Sequence, residues 1–303
     1  MKVLLLVNAS ASAVTARARV VIQKAMSADH EVTVAETSRR GHATRLAQGA
    51  AADGLDAVVV LGGDGTLNEA ANGLAGTPTA LGVLPGGSTN VFARTIGMTN
   101  DAVEATGELL AAMASGSRRR IGLGSANGRY FLFHVGLGFD AAVVAQVEKR
   151  GSLKRYAGHP LFVYAAFATW FRHFDRKRPR FTVEGDGLRI DDGYFAIVQE
   201  TNPYTFLGNL PINTAPAAGF ENGLSLVAFR TLRLPVVMGG AGSALRSGRY
   251  LRRSSHIVLR DDLDSLTVQG HGPFPYQVDG DYLGEVDHVE LRHHPDCLDL
   301  FVP

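Results

Sequence analysis

A single cysteine, Cys297, in a chain of 303 residues rules out an internal disulfide, so nothing covalent ties the fold to an oxidising compartment. Lysine is scarce too. Only five occur (Lys2, Lys24, Lys149, Lys154 and Lys177), and none closes a glycine-rich loop, which excludes the Walker pattern of nucleotide binding. A formal net charge of +1 argues against a general nucleic-acid binder, so no nucleic-acid partner is expected. Residues 1–7 are too short for the apolar core of a secretory signal, and the amino terminus lacks a basic region followed by a long apolar segment ending in small residues; the expectation is a cytoplasmic protein. A dinucleotide fingerprint would need a third glycine where Asn68 stands. A hydrolase elbow would need one at position 90, which is Asn90, and no protein-kinase catalytic loop is present. His134, His159, His173, His271, His293 and His294 lack metal-ligand spacing.

What the chain does have is Leu61-Gly62-Gly63-Asp64-Gly65-Thr66-Leu67-Asn68, set between the apolar run 57–60 and a helical pattern. A buried strand therefore turns through glycines into a helix. Glycines let backbone amides approach an anion closely, and a helix start adds unpaired N–H groups with a positive dipole end. Asp64 is out of place in a passive phosphate cradle, because a carboxylate repels phosphate unless a divalent cation or a reacting hydroxyl lies between them. The combination points to phosphoryl transfer. A plain strand-to-helix turn accounts for the glycines alone, but not for Asp64.

To about residue 120, apolar strands (3–7, 31–35, 57–61, 80–84) alternate with helical patterns (15–27, 43–52), which predicts a parallel sheet covered on both faces. Ligands bind such sheets at the carboxyl ends of the strands. The loops there carry Asn8, Thr37 with Gly41, the Gly62 to Thr66 turn, and Pro85-Gly86-Gly87-Ser88-Thr89-Asn90. Helix capping is the competing role for Thr37, Ser88 and Asn90. After Arg118-Arg119-Arg120, short strand-like stretches (130–135, 181–184, 194–199, 224–230, 256–259, 265–268, 276–278, 289–292) predict an antiparallel sandwich interrupted by helical segments at 152–174 and 234–253. The length suits two domains, expected at 1–120 and 121–303, with the last strand free to return to the first.

Taken together, Asn8, Thr37 with Gly41, Gly62 to Asn68, Leu84 to Arg94, Gly136 to Ala141 and Asp279-Gly280-Asp281 resemble the diacylglycerol kinase catalytic-domain family. That family includes bacterial lipid kinases and sphingosine kinases and is distantly similar to NAD kinases and phosphofructokinases. The resemblance implies a Rossmann-like α/β nucleotide domain followed by an antiparallel β-sandwich lipid domain. It also implies ATP and Mg2+ as cofactors and a hydroxyl of diacylglycerol or a similar amphiphile as acceptor. Asn8, Thr37, Gly62, Gly63, Asp64, Gly65, Thr66, Leu67, Asn68, Ser88 and Asn90 would contact the nucleotide, with Asp64 beside the magnesium. Asp281 stands where the family has a proton-accepting glutamate, one methylene longer, and Asp279 would support it; a hairpin turn explains the same three residues without chemistry. Some members bind a structural metal through backbone carbonyls around an aspartate; here Gly219, Asn222 and Leu224 match, and the missing charge at Asn222 argues against a permanently bound metal. Two rival readings remain, a soluble-substrate kinase of the NAD kinase type and a nucleotide-binding regulator without catalysis.

Residues 161–171 are apolar on most faces and flanked by Lys149, Arg150, Lys154 and Arg155 before and Arg172, Arg176, Lys177, Arg178 and Arg180 after. They are too few to span a bilayer. A buried core helix explains them, and so does an element resting on an anionic membrane surface. A homodimer is kept open.

Overall fold

A computed structural model describes residues 1–149, Thr169, 177–246 and 249–303. Apart from Thr169, the expected helix at 152–174 and its aromatic stretch lie outside the described residues, with most of its basic flanks, His159 and His173. The chain forms two compact units: Met1–Leu123 with Pro295–Pro303, and Gly124–His294.

In the first unit β1 (Lys2–Val7) pairs in parallel with β2 (Glu31–Glu36) on one side and β3 (Ala57–Gly62) on the other, and β3 pairs in parallel with β4 (Ala80–Pro85). β3 and β4 are buried at every residue, and β1 at all but Lys2. This is why they read as continuous apolar runs: a parallel sheet covered on both faces has no solvent side to alternate with. The covering helices are α1 (Ala16–Met26) packed with α5 (Ala102–Ser115), and α2 (His42–Ala52) packed with α3 (Asp64–Leu74). Two start on side-chain caps: Thr15 accepts from the Ala18 N–H, and Asp101 from the Val103 and Glu104 N–H groups, at 2.9–3.1 Å. The short α4 (Val91–Thr95) follows the loop after β4. The last residues return to this unit, where Leu300 pairs in parallel with Leu81.

The second unit is antiparallel. Its strands include β5 (Arg118–Ala126, its last residues), β6 (Arg129–Phe131), β7 (His134–Gly138), β8 (Phe181–Gly185), β9 (Leu188–Gly193) and β10 (Phe195–Gln199). There follow the hairpin β11 (Thr205–Leu207) and β12 (Leu210–Ile212), then β13 (Leu224–Phe229), β14 (Ile257–Leu263), β15 (Ser265–Val278) and β16 (Asp281–Phe301, up to His294). The helices are α6 (Phe139–Glu148), α7 (Leu234–Ala244) and α8 (Arg249–Arg253).

One strand spans two pairings. The first half of β15 pairs with β8 (Val268 opposite Val183) and its last residues with β7 (Val278 opposite Val135), with a bulge between Gln269 and Phe274. Such a strand turns the corner of a sandwich. Phe131, Phe181 and Phe274, all at 0% exposure, fill the core between the layers.

Some details differ from expectation, among them the segment 234–253, which holds two helices, α7 and α8. The stretch 130–135 is broken into β6 and β7, because the amides of Leu132, Phe133 and His134 turn onto a single carboxylate, that of Asp279. Segments 265–268 and 276–278 belong to one strand, since the glycines and prolines between them are absorbed by the bulge.

Candidate functional site

Four loops leave the carboxyl ends of the parallel strands, and backbone hydrogen bonds tie them into one surface of the first unit. Asn8 N–H donates to the Leu61 carbonyl at 3.0 Å, Thr37 N–H to Val7 at 2.9 Å, Ala13 N–H to Gly86 at 2.9 Å and Gly86 N–H to Gly62 at 2.8 Å. The two glycine loops touch backbone to backbone. A Cβ on Gly87 would lie 2.9 Å from the Gly63 Cα, and one on Gly86 would lie 2.9 Å from the Gly62 Cα. Side chains at these positions would therefore force the loops apart. The space left between them, about 10 Å³ and lined by Gly62, Gly63, Asp64, Pro85 and Asn90, holds no more than a water.

Side chains lock this surface further. The Asn8 amide donates to the Thr66 hydroxyl at 2.8 Å. Asn90, in the left-handed conformation at φ 50°, accepts from the Gly87 N–H at 2.7 Å and donates back to the Gly87 carbonyl at 3.0 Å. Asp64 spreads its carboxylate over the start of α4, accepting from Val91 N–H at 3.0 Å and Phe92 N–H at 3.1 Å. The signature aspartate thus caps the helix that follows the second glycine loop and fixes one motif to the other. Gly65 stands half-exposed in the first turn of α3, where the amides have no intrahelical acceptor, and Ser88 is exposed at the tip of the second loop. Thr37 is half-buried at the end of β2. Leu67 and Asn68 face inward, 3% and 1% exposed.

One contributor carries no visible motif. The Glu69 carboxylate accepts from Gly41 N–H at 2.8 Å and Ala43 N–H at 3.1 Å, and its carbonyl takes the Thr44 hydroxyl at 2.9 Å. It pins the start of α2, and with it the loop bearing Thr37, to the signature helix. The only signal in the sequence is its place one turn into that helix.

In the second unit, Asp279 and Gly280 form a two-residue turn at φ 48° and 82° between β15 and β16, so the hairpin geometry is real. Asp279 does more than turn. Buried to 5% exposure, it accepts from the N–H groups of Leu132, Phe133 and His134 at 2.8, 3.0 and 3.0 Å. Asp281, at the mouth of the hairpin, has the Arg129 guanidinium 3.5 Å away. Behind the turn, Gln277 accepts the Gly280 N–H at 2.7 Å and donates to Asp140 at 2.9 Å, and Tyr204 O–H donates to the other Asp140 oxygen at 2.6 Å. Burial pushes the Asp140 carboxyl above the usual carboxylate range, against the two hydrogen bonds. Burial, reinforced by the Asp140 charge, holds the Tyr204 phenol well above its ordinary value, so Tyr204 stays the donor.

The turn at 219–224 closes on itself. Asn222 N–H donates to the Gly219 carbonyl at 3.0 Å, its side-chain amide donates to the Ala217 carbonyl at 2.9 Å, and Gly223 N–H donates to Asp262. An amide at Asn222 brings hydrogen-bond donors where a cation site needs only acceptors. Among the described residues no cluster of three or more His, Cys, Asp or Glu is gathered, and no helix is long and apolar enough to cross a membrane.

An open parallel sheet with glycine loops and a carboxylate at its carboxyl edge, followed by an antiparallel unit with an acidic hairpin, defines a two-part phosphotransferase architecture. Residues 2–126 match the model of the diacylglycerol kinase catalytic domain. A diacylglycerol kinase of Staphylococcus aureus (strain JH9) is 36% identical over 288 residues, 91% of this chain and 84% of that protein. The Bacillus subtilis (strain 168) diacylglycerol kinase is 39% identical over 115 residues, 37% of each chain. A solved structure from Bacillus anthracis str. Sterne superposes with a TM-score of 0.79 at 20% identity, covering 100% of this chain and 95% of that one. Another, of a diacylglycerol kinase from the same strain, gives 0.71 at 19% identity, covering 100% and 97%. The chain belongs to the diacylglycerol kinase catalytic-domain family, a family of lipid kinases.

Proposed function

We propose that the protein transfers the γ-phosphoryl group of ATP, with Mg2+, to a hydroxyl of diacylglycerol or a similar amphiphile. The observation that carries this reading is the fusion of two glycine loops through Asp64. The two loops pack backbone on backbone, with no room for a side chain at Gly86 or Gly87, and glycine loops of this kind beside a helix start leave amides open to a phosphate chain. The Asp64 carboxylate beside the two loops is a hard oxygen donor, which suits a hard cation beside the phosphates. Bound MgATP would supply the phosphoryl group and the charge neutralisation for its transfer. The glycine loops and the first turn of α3 would hold the phosphates, with Asn8 and Asn90 keeping those loops in place. Asp281 would accept the proton of the attacking hydroxyl, and Asp279, through its three amide bonds, would hold the hairpin that presents it. The test is incubation with γ-labelled ATP, NAD and a mixed lipid extract, followed by identification of the labelled product. A labelled phospholipid supports the reading. Labelled NADP in the aqueous phase points to the soluble-substrate alternative, and ATP binding without turnover to the regulator.

A further inference from the structure

Between Glu221 and Asp261 the chain carries seven arginines and no carboxylate, in a protein whose formal net charge is +1. The middle of that stretch holds α7 and α8. α7 packs Val236 and Ala244 onto the cluster around Phe229, Leu251 and Ile257, so its inner side is accounted for. Its outer side is not polar. Leu234, Met238 and Leu245 are 49%, 57% and 36% exposed, and at positions i, i+4 and i+11 they fall on one face. A helix that merely shields a core has charged residues on that face, and apolar side chains lined up in solvent mark an interaction surface. Exposed arginines flank it along the chain: Arg233 at its start, Arg246 at its end, and Arg249 and Arg253 on α8, which packs against α7, none paired with a carboxylate among the described residues. Tyr250, 38% exposed, adds a ring with a polar tip.

An apolar stripe flanked by guanidinium groups matches a surface that is apolar inside and anionic at its rim. A second copy meeting this face through a two-fold axis would set arginines against arginines. A nucleic acid would leave the apolar stripe uncovered. We propose that the outer face of α7 with the arginines of α7 and α8 docks this unit on an anionic lipid bilayer, the apolar side chains entering the interface and the arginines meeting headgroup phosphates. The surface extends the lipid-kinase reading, and depends on it only for its purpose of bringing the enzyme to a substrate that resides in a membrane.

The experiment is sedimentation of the full chain with phosphatidylcholine vesicles, with and without phosphatidylglycerol, for wild type, Leu234→Gln/Met238→Gln, Arg249→Gln/Arg253→Gln and the control Arg17→Gln, which is exposed on α1. Wild type and control are expected to prefer anionic vesicles. The double arginine variant should partition about thirtyfold less, which corresponds to about 1 kcal/mol for each arginine lost, and the apolar variant should fail to bind. Equal binding to both vesicle types, or unchanged binding in both double variants, overturns the proposal. So does a wild-type dimer in sedimentation velocity that Leu234→Gln/Met238→Gln dissolves without altering vesicle binding. Turnover of a dispersed short-chain diacylglycerol should be equal in all four proteins. If wild type shows no such turnover yet still prefers anionic vesicles, the kinase reading falls and the docking surface stands; turnover without vesicle preference has the opposite meaning.

Discussion

Asp64 and Asp279 each satisfy backbone amides with a carboxylate, so each carries structure along with any chemistry. Asp64→Asn leaves one of the Val91 and Phe92 amides facing an NH2 group, which costs about 1–3 kcal/mol and lowers the thermal midpoint. It should also abolish most turnover, because placement of cation and phosphate depends on the same carboxylate. Thermal unfolding and steady-state rates measured on one preparation separate the two effects, and near-normal turnover would remove Asp64 from the chemistry. Asp279→Asn loses charged acceptors for three buried amides and should destabilise the second unit by on the order of 3 kcal/mol in urea unfolding. Asp281 stands at the mouth of the hairpin with the Arg129 guanidinium 3.5 Å away. Asp281→Asn should lower turnover by roughly 10² to 10⁴ with ATP affinity nearly unchanged, and Asp281→Glu should retain activity. Glu285, exposed further along β16, is the control: a dead Glu285→Gln beside an active Asp281→Asn would move the proton acceptor there. The pairing of Asp279 with residues 132–134 spans some 145 positions, which is why motif reading found the turn and not its clasp.

At the level of elements, the parallel half was legible because its strands are buried on both faces and its helices are amphipathic: the expected 57–61 and 80–84 became Ala57–Gly62 and Ala80–Pro85. The antiparallel half was legible in kind but not in its joints. Gly270, Gly272, Pro273 and Pro275 read as a loop, yet they sit inside β15, since a bulge at a sandwich corner tolerates residues that a flat strand does not. Glu69, which ties α2 to α3, looked like any surface glutamate. The glycine loops supply the sharpest test at this scale. Gly87→Ala puts a Cβ 2.9 Å from the Gly63 Cα and 3.1 Å from Asn90 Oδ1, so it should separate the loops, weaken ATP binding and cost about 1–3 kcal/mol. Gly49→Ala, in α2 with nothing within 4 Å of its new Cβ, should stabilise by about 0.5–1 kcal/mol. Calorimetric titration with ATP and thermal unfolding distinguish the pair, and equal ATP affinity in both would mean that the close approach serves packing alone.

For the whole molecule, two histidines of the second unit make stability fall at both ends of the pH range. Burial depresses His134 to about 3, so its contribution is present above pH 6.5 and is lost as pH falls from there. His293 is raised, first by its hydrogen bond to Glu200; its contribution is complete below pH 6.5 and is lost as pH rises through the folded value. Glu200 is itself pushed up by burial, so both partners of the pair favour the low-pH side. Thermal midpoints across pH should show an acid limb that His134→Phe flattens and an alkaline limb that the double variant His293→Gln/Glu200→Gln flattens. The central claim, phosphoryl transfer from ATP to a lipid hydroxyl, is tested most directly by γ-labelled ATP and dispersed diacylglycerol with wild type and Asp281→Asn side by side. The account predicts label in an organic-phase phospholipid, dependent on magnesium and reduced by roughly 10² or more in the variant. Label confined to water-soluble products, or no transfer from a folded protein that binds ATP, would contradict it.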